Sequence, residues 1–323
     1  MTGGLGMGMA RVAEAAAGTG AGAAGAGGGR IVVTTPTGNI GGKVLAQLLA
    51  AGAKVRVVVR DGSRLPEAVR GKVEVVQGSH SDPAVVDQAF RDVESVFWVC
   101  PPDPRADSVM SAYLDFTRPA CAALRRHGVR RVVAVSALGR GTPMAANAGF
   151  VTASLAMCDL IEATGVALRA LAMPSFMDNI ARQAAAIREQ GAFYLAIDGD
   201  RRMPSVATRD IAAVASGLLL DRRWNDSREV PVLGPEDLSF NDMARIMREV
   251  LGRPVHYRQV PFEAYRAGFV QRGMSEAMAQ GMTDMARAKN EGLDNAVPRT
   301  AEHSTPTTFR QWCGEELRPL VVA

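Results

Sequence analysis

The sequence predicts an α/β protein, a doubly wound parallel sheet followed by a smaller mixed α/β C-terminal lobe. Three observations carry this. Nearly unbroken apolar runs such as "RIVVTT" (30–35) and "KVRVVVR" (54–60) recur, as strands covered on both faces of a parallel sheet require. Helical segments alternate with them, which gives βαβ units. One strand breaks at "TPTGNIGG" (35–42) into a Gly-rich turn that resumes as an apolar-periodic helix, so that backbone N–H groups and the positive helix end can face a phosphate.

Taken in order, residues 1–29 are almost wholly Gly and Ala and cannot bury enough surface to offset their ordering entropy, so they read as a flexible tail. Gly20, Gly22 and Gly25 spell GxGxxG there, but no strand precedes them and no amphipathic helix follows. "RIVVTT" is the first strand, "NIGGKVLAQLLAAG" a helix stopped by Gly52, and "KVRVVVR" the second strand. "VEVVQG", "SVFWVC" and "RRVVAVSALG" are strands three to five, separated by the helices "DPAVVDQAF" and "SVMSAYLDFTRPACAALRRHG", the latter running through Pro119. "VALRAL" is a sixth strand. Beyond it come helices at "FMDNIARQAAAIREQG", at "TRDIAAVASGLLLD" with Thr208 as cap, and at "SFNDMARIMREVLG" with Ser239 as cap and Gly252 as stop. "SREVPVLG" is a strand, and the rest reads as helices and loops. A second lobe of this kind closes over the crevice at the carboxyl ends of the strands.

Composition narrows the function. Charged residues make up 22% and hydrophobic ones 47% of 323 residues, ordinary for a soluble protein. No apolar run is long enough for a membrane span, and no secretory leader is visible, so a cytoplasmic location is the expectation. Cys100, Cys121, Cys158 and Cys313 form no CxxC pair, which argues for buried thiols over a zinc site or disulfides. The net charge of +4 is spread along the chain without interleaved aromatics, so no nucleic-acid partner is expected. "RRHGVRR" (125–131) falls where a helix ends and a strand begins, a place that favours cations. His127 reads as part of that cluster and His256 as part of a strand, whereas His303 lies in a C-terminal loop able to fold over the crevice. The Met-rich "GMSEAMAQGMTDMARA" (273–288) has helical spacing and suits either core packing or a lid over an apolar substrate.

The turn "TPTGNIGGKV", with "VVVRD" ending strand two, "VFWVCPPD" ending strand four and "VVAVSALG" ending strand five, resembles the NmrA-like branch of the atypical short-chain dehydrogenase/reductase family. The resemblance continues through "MPSFMDN", "MPSVATRDIAAVA", "VLGPEDLSFNDMARIMREVLGRPV" and "TPTTFRQW", in family order from about residue 30 to 312. It implies a Rossmann-like dinucleotide-binding domain over 30–171 and a substrate-binding lobe over 172–323, some of whose segments return to the sheet. The cofactor wall it implies is Thr35, Thr37, Gly38, Asn39, Ile40 and Gly41 at the turn, Arg60 after strand two, and Ser79 and His80 after strand three. Cys100, Pro101 and Pro102 follow strand four, Ser136 ends strand five, and Pro174, Ser175 and Phe176 follow strand six. Arg60 stands where NAD enzymes carry an acid for the ribose, and an Arg there pairs with a 2′-phosphate, which favours NADP over NAD despite Asp61 next to it.

Three departures from the family pattern stand out. The first Gly of the GATGxxG turn is Thr35, followed by Pro36, and the Asp expected after strand three is Ser79. The stretch "GFVTASLAMCDL" (149–160) has neither the Tyr nor the Lys of the usual proton relay, and Ser154 or a close neighbour stands at the Lys position. Ser136 remains as a catalytic candidate that can hold a substrate carbonyl, or as a hydroxyl satisfying local backbone. The resemblance implies an NADP-dependent reductase of a small apolar carbonyl, quinone or enone. Two alternatives stay open, a non-catalytic NAD(P) sensor acting on a protein partner and a non-redox tailoring enzyme for dehydration, isomerisation or cyclisation. The helices flanking such a sheet can also form a homodimer face.

Overall fold

The computed structural model describes residues 29–322, so the predicted tail lies outside the described residues except for Gly29. Seven strands form one parallel sheet: β1 (Arg30–Thr34), β2 (Val55–Val59), β3 (Glu74–Gln77), β4 (Val93–Trp98), β5 (Arg131–Ala137), β6 (Ala167–Met173) and β10 (Arg228–Pro231). Their order is β10-β6-β5-β4-β1-β2-β3, with Val33 beside Val57 on one side and Phe97 on the other. Strand order reverses at β1, so the crevice opens between the carboxyl ends of β1 and β4. This is the Rossmann-like α/β fold that the alternation of apolar strands and helices predicts.

Side chains alternate across the sheet and give each face its own core. Ile31, Val33, Val57 and Val133 pack under α1 (Asn39–Ala50) and α8 (Thr208–Leu220). Val32, Val96, Val132 and Ala134 pack under α3 (Pro83–Ala89), α4 (Val109–His127) and α5 (Phe150–Glu162). A short α2 (Glu67–Arg70) connects β2 to β3. α4 runs through Pro119 as predicted, ends at Gly128, and feeds "RRHGVRR" into the start of β5.

The second half adds a third core. The predicted helix over 176–191 is instead divided: β7 (Ser175–Phe176) is followed by α6 (Asp178–Ala181) and α7 (Ala184–Gln190). Gln183 stands at the break as the residue before α7, and its side chain is bonded to the backbone of Tyr194 through both amide ends, at 2.9 and 3.1 Å. β8 (Ala192–Leu195), β9 (Met203–Val206), β11 (Asp237–Leu238) and β12 (His256–Gln259) form two small sheets, β11-β9-β7 and β12-β8. α9 (Phe240–Leu251) has the predicted Ser239 cap, completed by Asp242 into a capping box, and ends at Gly252, whose left-handed φ of 67° suits glycine. Thr208 is not the cap of α8: it is the first helical residue, and the Asp178 carboxylate receives its N–H at 3.2 Å.

The chain closes with α10 (Phe262–Gln271), α11 (Glu276–Asn290), α12 (Phe309–Trp312), a π-helical turn at Cys313–Leu317 and α13 (Arg318–Val322). α11 carries the Met-rich stretch: Met278 is fully buried, whereas half-buried Met285 packs against the cluster of Ala148, Val151, Leu155, Ala288 and Leu293, as do Met144 and Ala137. After α11, Lys289 forms a buried ion pair with Asp294, and neighbouring Leu293 fills the space beside Gly139. All four cysteines are buried and free. Among the described residues no helix is long and apolar enough to cross a membrane, and no cluster of ligands could hold a metal ion.

Candidate functional site

The turn after β1 decides whether a dinucleotide can be held. Thr34 Oγ1 donates to Phe97 O at 2.9 Å and accepts from Val99 N at 3.0 Å, pinning the end of β1 against β4. Thr35 then takes a φ of 51°, the left-handed region that glycine favours, and its carbonyl receives the Gly38 amide at 3.0 Å. A Cβ on Gly41 would run into that Thr35 carbonyl, so only glycine lets α1 start this close to β1. Thr37, Gly38 and Asn39 are exposed at the tip, while Ile40 and Gly41 are buried. No side chain caps α1 and no acidic residue stands in its first turn, which leaves a positive helix end facing the crevice. By this test the residues present fit a pyrophosphate.

Arg60 is exposed at the end of β2 and makes no ion pair among the described residues. Asp61, the acid beside it, is engaged elsewhere. It caps the short turn Gly62–Arg64 by accepting from Ser63 N and Oγ at 2.9 and 2.7 Å, bonds that hold its carboxyl below the ordinary range. Ser79 Oγ shares a hydrogen bond of 2.8 Å with Ser81. His80 is 7% exposed, with its ring edge-on to Trp98 and Phe116 and Nε2 at 2.9 Å from Val99 O. Burial pulls its pKa down to about 4, so the ring is neutral and takes part in joining β3 to β4.

The remaining predicted residues line the same edge of the sheet. Cys100 follows β4, and its buried thiol, pushed up to about 12, donates to Ala112 O at 3.6 Å. Pro101 is exposed and Pro102 half-buried. Pro174 is buried after β6, and half-buried Ser175 and Phe176 pair with Ser205 and Val206 of β9. Ser136, the last residue but one of β5, is only 5% exposed, and its hydroxyl has no hydrogen-bond partner among the described residues. Cys158 of α5 lies against it without a well-formed bond; burial pushes that thiol up to about 12, a rise the Ser136 hydroxyl partly offsets. Every residue predicted for the cofactor wall thus stands at the carboxyl edge of the sheet.

The model of the NmrA-like family matches residues 28–313. The chain belongs to that family. A (4-alkanoyl-5-oxo-2,5-dihydrofuran-3-yl)methyl phosphate reductase of Streptomyces griseus is 31% identical over 88% of this chain and 97% of its own. An NAD(P)H azoreductase of Xenophilus azovorans is 28% identical over 79% of this chain and 85% of its own. Among solved structures, Citrobacter sp. triphenylmethane reductase complexed with NADP(H) superposes with a TM-score of 0.70 at 20% identity, over 90% of this chain and 99% of that one.

Two features of this NmrA-like chain were not singled out from its sequence. Lys43 of α1 donates to Thr208 Oγ1 at 3.0 Å, and that hydroxyl donates to Asp178 Oδ1 at 2.7 Å, so the cradle helix is tied to α8 and to the loop after β6. The rarity of lysine, with only Lys43, Lys54, Lys72 and Lys289 in the chain, was the available signal. The second is Tyr113, which sits one turn into α4 against Phe150 of α5. Of the histidines, His127 is bound to Asp87 at 3.0 Å and His256 opens β12, while the His303 carbonyl accepts from Leu233 N at 2.8 Å.

Proposed function

We propose that the protein is an NADPH-dependent reductase of a small, largely apolar carbonyl, quinone or enone compound. Residues 30–171 hold the dinucleotide and residues 172–323 supply the substrate wall. Arg60 carries the choice of cofactor: it is exposed without an ion-pair partner among the described residues, and the ionised Asp61 beside it is held by Ser63 and not by this guanidinium, which leaves the fork of Arg60 open to a 2′-phosphate. The names of the relatives, reductases over nearly their full length, support the reaction class. When bound, the reduced nicotinamide supplies a hydride.

The residues of the chain do the rest. The amides of Asn39 and Ile40 and the open end of α1 receive the pyrophosphate, Arg60 pairs with the 2′-phosphate, and Ser136 holds the substrate oxygen. The half-buried Ala137, next to Ser136 in the chain, packs on the same small apolar cluster of α5 and α11 as Met144 and Met285, and an apolar surface there favours an apolar compound. The test is calorimetric titration with NADPH and NADH, followed by NADPH consumption against a panel of quinones, enones and ketones. Preferred binding of NADPH with turnover of at least one class is the expected result. Tight binding without turnover would shift the reading to a dinucleotide sensor, and no binding would shift it to a non-redox enzyme on the same fold.

A further inference from the structure

A dinucleotide laid across the carboxyl edge of the sheet has to be held at places that lie far apart in the chain. Arg60, at the end of β2, takes the adenosine side, and the uncapped start of α1 takes the pyrophosphate. The strand order then sends the nicotinamide half the other way, past β4 and β5 towards the segment 174–177 that follows β6. That segment is not part of the central sheet. Its β7 pairs with Ser205 and Val206 of β9 in a small separate sheet, and Met177 N donates to Val206 O at 2.9 Å. A chain of hydrogen bonds joins its far end to the cradle helix. Lys43 Nζ of α1 donates to Thr208 Oγ1 at 3.0 Å, and Thr208 Oγ1 donates to Asp178 Oδ1 at 2.7 Å. The other carboxylate oxygen accepts from Thr208 N at 3.2 Å. Thr208 is 2% exposed, and Lys43 and Asp178 are half-buried. A buried hydroxyl thus stands between a cation and an anion, accepting from one and donating to the other, which strengthens both bonds and fixes their direction.

We propose that Lys43, Thr208 and Asp178 are positioning residues that set the wall after β6 against the pyrophosphate cradle, so that the nicotinamide half is held in one place when the phosphates sit at α1. The proposal rests on the dinucleotide binding of the reading above and not on the substrate class. Capping of α8 needs only Asp178 and the amide of Thr208; the bond from Lys43 adds nothing to that cap and reaches a different helix. Without it α1 and α8 meet through Val44, Leu48, Ile211 and Ala215, which share one apolar core. Apolar packing is not directional, so it keeps the two helices together but does not fix one along the other. The hydroxyl between the two charges supplies that direction.

Thr208→Val keeps the shape of the side chain and removes both bonds of the hydroxyl, while the amide at that position still reaches Asp178. Lys43→Met removes only the cation, from a half-buried site, and decides the question if the valine variant does not fold. Calorimetry compares NADPH with adenosine 2′-phosphate 5′-diphosphate, the part of the cofactor that lacks the nicotinamide riboside. In both variants the fragment is expected to bind within about twofold of the parent, which also reports an intact cradle, while NADPH binds ~10-fold more weakly. The fluorescence anisotropy of bound NADPH should fall as its dihydronicotinamide ring gains freedom, and Thr208→Ser should restore both affinity and anisotropy. Neither readout needs turnover. On any compound the parent reduces, kcat should fall ~10-fold in the two variants with the KM for that compound little changed. Equal losses for NADPH and the fragment, or no loss for either with anisotropy unchanged, overturn the proposal and leave the reductase reading intact. No binding of NADPH to the parent overturns both.

Discussion

At the amino ends of the central strands, Arg56, Arg131 and Arg169 are buried and hold loop carbonyls; at the carboxyl ends, Ser136 Oγ is buried without a described partner and Thr35 keeps a positive φ. Arg56 donates to Ala89 O and Arg91 O, both at 2.7 Å, and meets Glu74. Arg131 donates to Trp224 O at 2.9 Å and pairs with Glu94 at 2.7 Å. Arg169 pairs with Asp226 at 2.7 Å and stacks 4.4 Å from the Trp224 ring. The difference lies in which end the buried charges hold together. The amino end is tied by fixed charges, although Asp92 before β4 also keeps a positive φ and Arg56 Nε has no hydrogen-bond partner among the described residues. At the carboxyl end the Gly-rich turn, the uncapped start of α1 and Ser136 Oγ mark the place where a ligand completes the structure.

The largest test of that contrast is Arg131→Met. Removing the guanidinium leaves Glu94 short of its main partner, with Arg222 only at 3.6 Å, and frees two loop carbonyls. The expected loss is about 3–5 kcal/mol by denaturant unfolding, with dinucleotide affinity unchanged under folding conditions. A large fall in affinity at preserved stability would break the division between the two ends.

His80 gives the next largest effect, because it stands at the carboxyl edge yet behaves as core. Its folded pKa of about 4 lies below the ordinary 6.5, so between these values the unfolded chain binds more protons than the folded one. Stability therefore rises with pH across that window: the contribution is complete above pH ~6.5 and is lost as pH falls towards ~4, by up to about 3 kcal/mol. Unfolding free energies of the parent and His80→Gln, followed across this window, should show a shallower slope in the variant. Parallel slopes would mean that the ring is not held neutral by its place between Trp98 and Phe116.

Arg60→Ala sharpens the comparison at the open end, where a cation without a described partner waits for its counter-ion. It should weaken NADPH by about 2 kcal/mol, ~30-fold, and leave both NADH binding and stability nearly unchanged. Equal loss for NADPH and NADH would place Arg60 on the pyrophosphate or the adenine and remove the basis for NADP preference.

The open end was far more legible in the sequence than the closed one. A Gly-rich turn has a fixed spacing, and strands ending in "VVVRD" or "VVAVSALG" place their last residues at one edge whatever packs below, so Gly38, Gly41, Arg60 and Ser136 could be put together from order alone. Arg56, Arg131 and Arg169 were hidden because their partners are carbonyls of loops far along the chain, Trp224 and Asp226 among them, and carbonyls leave no trace in a sequence. The visible hint was a charged residue inside an apolar run, as in "VALRAL". His80 is expected in the cofactor wall from its place after strand three, and nothing in the sequence signals that Trp98 and Phe116 enclose its ring.

The smallest effect is the one that bears most directly on the cradle. Thr35 is a β-branched residue in left-handed backbone, which costs roughly 1–2 kcal/mol relative to glycine, while glycine in its place adds about 0.5–1 kcal/mol of unfolded-chain entropy. The net gain expected for Thr35→Gly is thus between about zero and 1.5 kcal/mol of stability, measured by denaturant unfolding. If the strain serves only to accommodate an inherited side chain, NADPH affinity should stay level or rise a few-fold, because the turn keeps its shape and loses bulk near the phosphates. If the Thr35 side chain is itself a cradle donor, affinity should fall while stability still rises. Opposite signs for stability and binding from a single side chain would show that the strain at this end is held for the ligand.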